Sequence, residues 1–295
     1  MKIKKLLRGE KLTPYFLIIP AAILIGIILI YPLIKGIINS FLNINLLIIR
    51  STKFIGLKNY LNLFRDPLFW ISFKQSILWT LIILIGEMVL GFFIALLLNI
   101  EIKSRKIFRT LILIPWLIPN SIAAIIWKWL YSEQHGLVNY LLWKLHFIKT
   151  YNAWLGEPHL ALGAVIIAAL WKTIPFVVLV ILAGLQSISN DLYEAAEVDG
   201  ASSFQKLIYI IIPSVKNIAL ITAILTSIWN FNQFDIIQVM TRGGPGTATL
   251  TMPIFSFELF LQSFQVSYAS AVATIMLILM TGPIYVYVKR LMSTE

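Results

Sequence analysis

The chain has 295 residues, 59% of them hydrophobic and only 13% charged, with a mean hydropathy of +0.87 and a net charge of +11. Soluble domains run about 45–50% apolar and about 25% charged, so most of this surface must meet lipid. A nucleic-acid binder is not this apolar, and the lack of cysteine excludes a disulfide framework, a thiol nucleophile and a Cys-ligated zinc site.

A bilayer-spanning helix needs about 20 mostly apolar residues. The first such run, 14–35, follows a basic stretch at 1–13 (Lys2, Lys4, Lys5, Arg8, Lys11) that also suits a signal peptide. The run is long and has no small-x-small cleavage site, which predicts a retained span. Residues 36–72 form an external segment. Apolar runs at 73–100, 107–131, 160–185, 218–240 and 267–288 bring the predicted spans to six, and 73–288 is read as a five-helix core. The fold class is therefore an all-α polytopic membrane protein with six transmembrane helices. Pro115, Pro119, Pro175 and Pro283 lie in or at the ends of these runs, which bilayer helices tolerate when neighbours satisfy the freed carbonyls.

Six crossings place both termini on one side. Lys103, Arg105, Lys106 and Arg109 follow the second span, Lys206 and Lys216 the fourth, and Lys289 and Arg290 open the C-terminal segment 289–295. With the N-terminal cluster they make a small basic excess that predicts cytoplasmic termini. Trp116, Trp127, Trp129, Trp143 and Trp154, with Tyr131, Tyr140 and Tyr151, crowd the third span and the loop after it. They read as an interfacial aromatic belt, with Lys128 snorkelling between two Trp rings.

The loop 187–213 is too polar to span. Asp191 with Glu194, and Ser202 with Gln205, match capping patterns; Gly200 supplies a turn and Pro213 ends the pattern. Helix, sharp turn, helix is expected, exposing Glu194, Glu197 and Asp199, with Leu192, Ala195, Ala196 and Val198 available for contact. Such a helix suits docking into a groove on another protein.

Here Glu194-Ala195-Ala196, Asp199-Gly200-Ala201 and Ile212-Pro213 resemble, in order, the signature of the permease subunits of binding-protein-dependent ABC importers. Residues 229–247, beginning Trp229-Asn230-Phe231-Asn232-Gln233, resemble carbohydrate importers of the maltose and glycerol-phosphate type, as do 111–119 and 171–176. The resemblance covers essentially the whole chain and implies the ABC type I importer permease fold. Unlike the larger maltose permease, the chain shows no extra N-terminal spans or large external domain, so the compact six-span form is expected. The implied partners are a second permease subunit in a heterodimer, two ATP-binding subunits and an external solute-binding lipoprotein or periplasmic protein, in a bacterial or archaeal plasma membrane. No nucleic-acid partner is implied.

No Gly-x-x-x-x-Gly-Lys-Ser/Thr occurs, and Gly243-Gly244-Pro245-Gly246 lacks the Lys and reads as a breaker turn. The chain is thus expected to bind no cofactor and catalyse nothing, with ATP and Mg in the partner subunit. By resemblance Glu194 is the charged contact to the ATPase, Ala195 and Ala196 keep the helix slim, and Asp199 with Gly200 forms the turn.

Thr226, Asn230 and Gln233 are spaced four and three apart, on one helical face, and Thr173 and Phe176 lie three apart in the span before. Amides and aromatic faces are what sugars bind, and polar groups inside a membrane are functional hypotheses by default. The alternative is hydrogen bonding between helices. Matching positions line the sugar site of the maltose permease, but Ala169 and Phe176 stand where that relative resembles Asn and Tyr, implying a different bonding pattern. Glu87 and Lys172, deep in apolar runs, either pair with each other or leave Lys172 facing the pathway toward an anionic sugar. His135, His146 and His159 have no carboxylate cluster at ligand spacing, so no metal site is expected. A stand-alone secondary transporter or channel is the competing reading; it predicts internal repeats and buried acidic sites.

Overall fold

The computed structural model describes residues 13–44, 52–100 and 104–292. The basic N-terminal cluster, Lys103 and the last three residues of the C-terminal segment lie outside them. The chain divides into two compact units, one running through Asp66 and taking in Ser256–Met276, the other comprising Pro67–Phe255 and the chain from Leu277 onward.

In the first unit, α1 (Thr13–Ile25), a π-helical turn (Gly26–Ile30) and α2 (Tyr31–Ser40) form one apolar run. Pro32 has no N–H to offer the carbonyl one turn back, and the π turn absorbs the defect, with the Tyr31 N–H reaching Gly26 O. A short antiparallel pair follows, β1 (Leu42–Asn43) with β2 (Lys53–Phe54), Leu42 opposite Phe54. On α3 (Lys58–Arg65), the buried Asn59 amide donates to Ser40 O (2.7 Å) and Leu42 O (2.9 Å) and so fixes the chain's exit from α2.

The second unit contains α4 (Pro67–Asn99), α5 (Arg105–Leu111), α6 (Ile114–Leu117), α7 (Asn120–Leu130), α8 (Leu137–Lys144) and α9 (Pro158–Gln186). After these come α10 (Asn190–Val198), α11 (Ser203–Lys206), a π turn (Leu207–Ile211), α12 (Ile212–Phe231) and α13 (Asp235–Met240). Helices α14 (Met252–Leu261) and α15 (Val266–Met292) are shared between the units. The core is the seam of α4 against α9. A Cβ on Gly91 would lie 2.7 Å from Val177 Cγ1 and 3.0 Å from Val177 Cβ, so glycine lets these backbones approach there, while one on Gly86 would meet the movable end of Leu170 at 2.8 Å. Small residues do this work in membranes, where lipid removes the hydrophobic drive between helices. Ala95, Val177, Val178 and Ile181 continue the seam, and Val215 of α12 packs into the same cluster.

Among the described residues five helices are long and apolar enough to cross a membrane: Tyr15–Ser40, Pro67–Asn99, Pro158–Gln186, Ser203–Met240 and Val266–Lys289. The expected third span is broken. Arg105–Leu117 and Asn120–Leu130 meet at 96°, and they make a sixth span only if taken together. Ile118 is extended (ψ 133°), as a residue before proline prefers, and Pro119 cannot continue the ladder. Pro213 also departs from expectation. It does not separate the loop from the fifth span, because helix runs from Ser203 to Phe231 through the π turn, with Ile212 N–H reaching Leu207 O.

Candidate functional site: a polar cavity and an exposed helical turn

Near the break in the third span, α4, α6, α7, α9 and α12 enclose a cavity of about 190 Å³, lined by Glu87, Trp116, Asn120, Lys172, Thr173, Phe176, Thr226, Trp229, Asn230 and Gln233. All of the sequence-derived pathway residues, Thr173, Phe176, Thr226, Asn230 and Gln233, are in this wall. Ala169 is buried and not among the lining residues. Gln233 arrives by a different route from the one its spacing suggested: α12 ends at Phe231, and Gln233 enters from the turn before α13, its N–H donating to Asn230 O at 3.1 Å.

Glu87 is fully buried. Its Oε1 accepts from Asn230 Nδ2 at 3.0 Å, while the Asn230 carbonyl accepts from Trp79 Nε1 at 3.0 Å, so α4 and α12 are tied by both ends of one asparagine. The hydroxyls of Thr173 and Thr226 approach the carboxylate. The second oxygen, Glu87 Oε2, with Thr173 Oγ1 and Gln233 Nε2, is buried without a hydrogen-bond partner among the described residues. Buried polar atoms are normally bonded; the Thr173 hydroxyl and the Glu87 carboxylate are near enough to meet each other, so Gln233 Nε2 is the atom of the three that most directly points to a polar occupant.

Lys172 does not pair with Glu87: no ion pair joins them among the described residues, and Lys172 Nζ donates instead to Trp116 O at 2.8 Å. The break at Ile118 and Pro119 explains this acceptor. In a continuous helix Trp116 O would receive the N–H of Asn120; the bend strips it of that donor and Lys172 replaces it. Aromatic rings form the apolar wall. Trp116 and Phe176 stack with centroids 5.9 Å apart at 27°, and Phe176 meets Trp229 at 5.1 Å and 56°.

Trp116, Asn120 and Trp229 were not singled out as lining residues from sequence. The pair Pro115 and Pro119 around Trp116 was the available signal, since two prolines four apart mark a place where backbone turns toward an interior. Part of the expected aromatic belt is also internal. Trp127 packs edge-on to Trp171 (5.8 Å), and Tyr131 lies between Trp127 and Trp154. Trp154 Nε1 donates to the fully buried Asn139 Oδ1 at 2.8 Å, and Lys128 Nζ reaches Val239 O at 3.5 Å. Trp129 and Trp143 are exposed as expected.

The second feature is the loop after α9. The expected helix is α10, but Ser189, not Asp191, caps it: the Ser189 hydroxyl accepts from Asp191 N at 3.2 Å. Its C-terminus closes with Gly200 N to Glu197 O (3.0 Å) and Ala201 N to Ala196 O (2.9 Å), the paired bonds of a Schellman turn. That turn needs a left-handed residue, and Gly200 has φ +73°. A Cβ there would meet nothing within 4 Å, so backbone conformation, not crowding, selects glycine. The Ser202 and Gln205 capping box is present with both bonds, 2.8 and 3.3 Å. Lys206 Nζ bonds Glu197 Oε1 at 2.6 Å, closing the turn and holding the Glu197 carboxyl below the usual carboxylate range by hydrogen bond and charge.

Glu194, Ala195, Asp199 and Gly200 are exposed, and Ala196 is half-buried. Leu192, Phe204 and Val198, the last 89% exposed, add an uncovered apolar surface. The turn thus presents acids and unburied apolar side chains together, on a backbone closed by its own hydrogen bonds.

The family described as binding-protein-dependent transport system inner membrane component matches residues 87–293. The sulfoquinovosyl glycerol transport system permease protein SmoG of Agrobacterium fabrum is 36% identical over 287 residues, 97% of this chain and 92% of its own. The trehalose/maltose transport system permease protein MalF of Thermococcus litoralis is also 36% identical over 287 residues, 97% and 96% of the two chains. A bacterial ABC transporter involved in the import of the acidic polysaccharide alginate includes a chain of the same fold, with a TM-score of 0.82 at 22% identity over 98% of this chain and 99% of that one.

Proposed function

The chain belongs to the binding-protein-dependent transport system inner membrane components, multi-pass proteins with the ABC type I importer permease fold, and from that membership we propose that it carries a sugar across the membrane through the cavity at Glu87. The observation that carries the sugar reading is the cavity's chemistry. One wall offers three unsatisfied polar atoms, an acceptor at Glu87, a donor at Gln233 and a hydroxyl at Thr173, and the other offers three aromatic faces. Sugar hydroxyls fit the first and the apolar faces of pyranose rings fit the second. The names of the relatives SmoG and MalF agree with a carbohydrate cargo.

Permeases of this family work with a solute-binding protein, a second permease and an ATPase. In this system we assign a heterodimer of permeases and two ATP-binding subunits that hold ATP and Mg, with this chain doing no chemistry of its own. The turn around Gly200 is the ATPase contact, with Glu194 its charged residue. In this reading α10 and both termini are cytoplasmic, and the broken third span counts as one crossing.

Reconstitution into liposomes tests the whole reading. Uptake of a sugar is expected only when the ATPase, internal ATP and the solute-binding protein are all supplied, and Glu194→Lys is expected to release the ATPase on purification. Uptake by this chain alone, driven by an ion gradient, would favour the stand-alone transporter; unimpaired uptake by Glu194→Lys would remove the role of that residue.

A further inference from the structure

The cavity holds an acidic and a basic side chain that form no ion pair with each other among the described residues, and their surroundings differ. Glu87 receives a hydrogen bond from the Asn230 amide, and the hydroxyls of Thr173 and Thr226 approach it, so donors surround the carboxylate on several sides. Lys172 is 7% exposed, and its ammonium has a single described acceptor, the neutral carbonyl of Trp116. An ammonium has three N–H donors, so one bond leaves two to be met. Gln233 Nε2 adds a further unmet donor in the same wall, against unmet oxygens at Glu87 Oε2 and Thr173 Oγ1, the latter a hydroxyl that donates as well as accepts. The carboxylate of Asp235, close behind, is already engaged by Asn120 Nδ2 at 3.3 Å, and it does not line the cavity.

The unfilled capacity of the site is therefore rich in donors and centred on a cation. Resting on the sugar reading above, we propose that the cavity selects an acidic sugar, a uronate or a sulfonated sugar, with its anionic group on Lys172 Nζ and Gln233. The hydroxyls on the other edge of the ring bond Glu87 and Thr173, and the carboxylate there turns away a second anionic group. Lys172 is thus a specificity-determining residue, and its bond to Trp116 holds it in place. A long flexible ammonium is fixed at the cavity wall by the carbonyl that the helix break sets free.

The test uses the assembled permease and ATPase complex in nanodiscs, titrated calorimetrically with methyl glucuronide and methyl glucoside, which differ in the carboxylate. A charge-assisted bond predicts that the glucuronide binds at least about ten-fold more tightly. Lys172→Gln retains a donor for Trp116 O but no charge, and is expected to bring the ratio of the two affinities to about one. Lys172→Arg is expected to keep the preference. Should the Gln variant not assemble, the wild-type ratio still decides the acidic selectivity, and Lys172→Met takes the place of the Gln variant in deciding the role of Lys172. Glucoside binding equal to or tighter than glucuronide binding overturns the acidic selectivity and leaves the sugar reading standing. A preference that survives Lys172→Gln overturns the role of Lys172. Binding of neither glycoside overturns the acidic selectivity proposed for this cavity, while the sugar reading is decided separately by the liposome uptake experiment.

Discussion

The cavity and the loop 187–213 belong to the same compact unit and are built on opposite plans. In the cavity the backbone is interrupted, and side-chain atoms at Glu87, Thr173 and Gln233 are left unbonded in the interior. In the loop the turn backbone is closed by cap, Schellman turn and capping box, and side chains at Leu192, Val198 and Phe204 are left uncovered at the surface. In the function proposed above, one region offers its unmet hydrogen bonds to a small polar ligand and the other its uncovered apolar area to a protein. That proposal separates cargo handling from energy input: a ligand must be released, so its site is incomplete rather than tight, whereas a transmitted force needs a stiff contact.

Variants in one region should therefore leave the other's readout intact. The largest effect is expected from Gly200→Val, which forces a β-branched residue to φ +73° at a cost of about 1–2 kcal/mol. ATP-driven uptake should fall to near background while glycoside binding in the cavity is retained; a parallel loss of binding would break the separation. Phe176→Ala comes next, removing the ring that touches both Trp116 and Trp229. Sugar affinity should drop roughly ten-fold with ATPase co-purification unchanged.

Ser202→Ala removes one cap at a cost of about 1 kcal/mol. Faster hydrogen exchange at Gln205 N, which the Ser202 hydroxyl now receives, is the measurement, and coupling should weaken without vanishing. The smallest effect concerns Glu197. Lys206 lowers its folded pKa, so the pair's contribution is present above the ordinary glutamate range and disappears as pH falls through the lowered value. Lys206→Met should move the Glu197 titration upward in a carboxyl NMR experiment, and added salt should narrow the difference, as expected for an exposed pair.

These differences also mark what could be read from the sequence. The capping box at Ser202 and the turn at Gly200 depend on residues three apart, so local spacing reports them directly. The first cap was misplaced by two residues because Ser189 and Asp191 are both good caps and only backbone conformation chooses between them. The pathway face of α12 was legible as a 3.6-residue period up to Asn230, whereas Gln233 lies past the helix end and reaches the cavity by a turn that periodicity cannot show. The bend at Pro119 and the continuity past Pro213 were the reverse of what a shared rule about proline suggests. A π turn can accommodate one proline in the ladder, and an extended residue before the other ends it. The fate of Lys172 was not legible, since its partner is a backbone carbonyl freed by that bend.

The uninterrupted run from Ser203 to Phe231 has a mechanical meaning. At about 1.5 Å per residue it is a lever roughly 40 Å long, with its foot at the capping box and its head at Thr226 and Asn230. Tilting the foot by about 5° would swing the head by about 3–4 Å, more than the reach of a hydrogen bond. With the ATPase seated on the turn as proposed, a small movement of it would remake the Asn230 to Glu87 bond and the unmet atoms beside it, and the grip on the cargo would be set from the other side of the membrane.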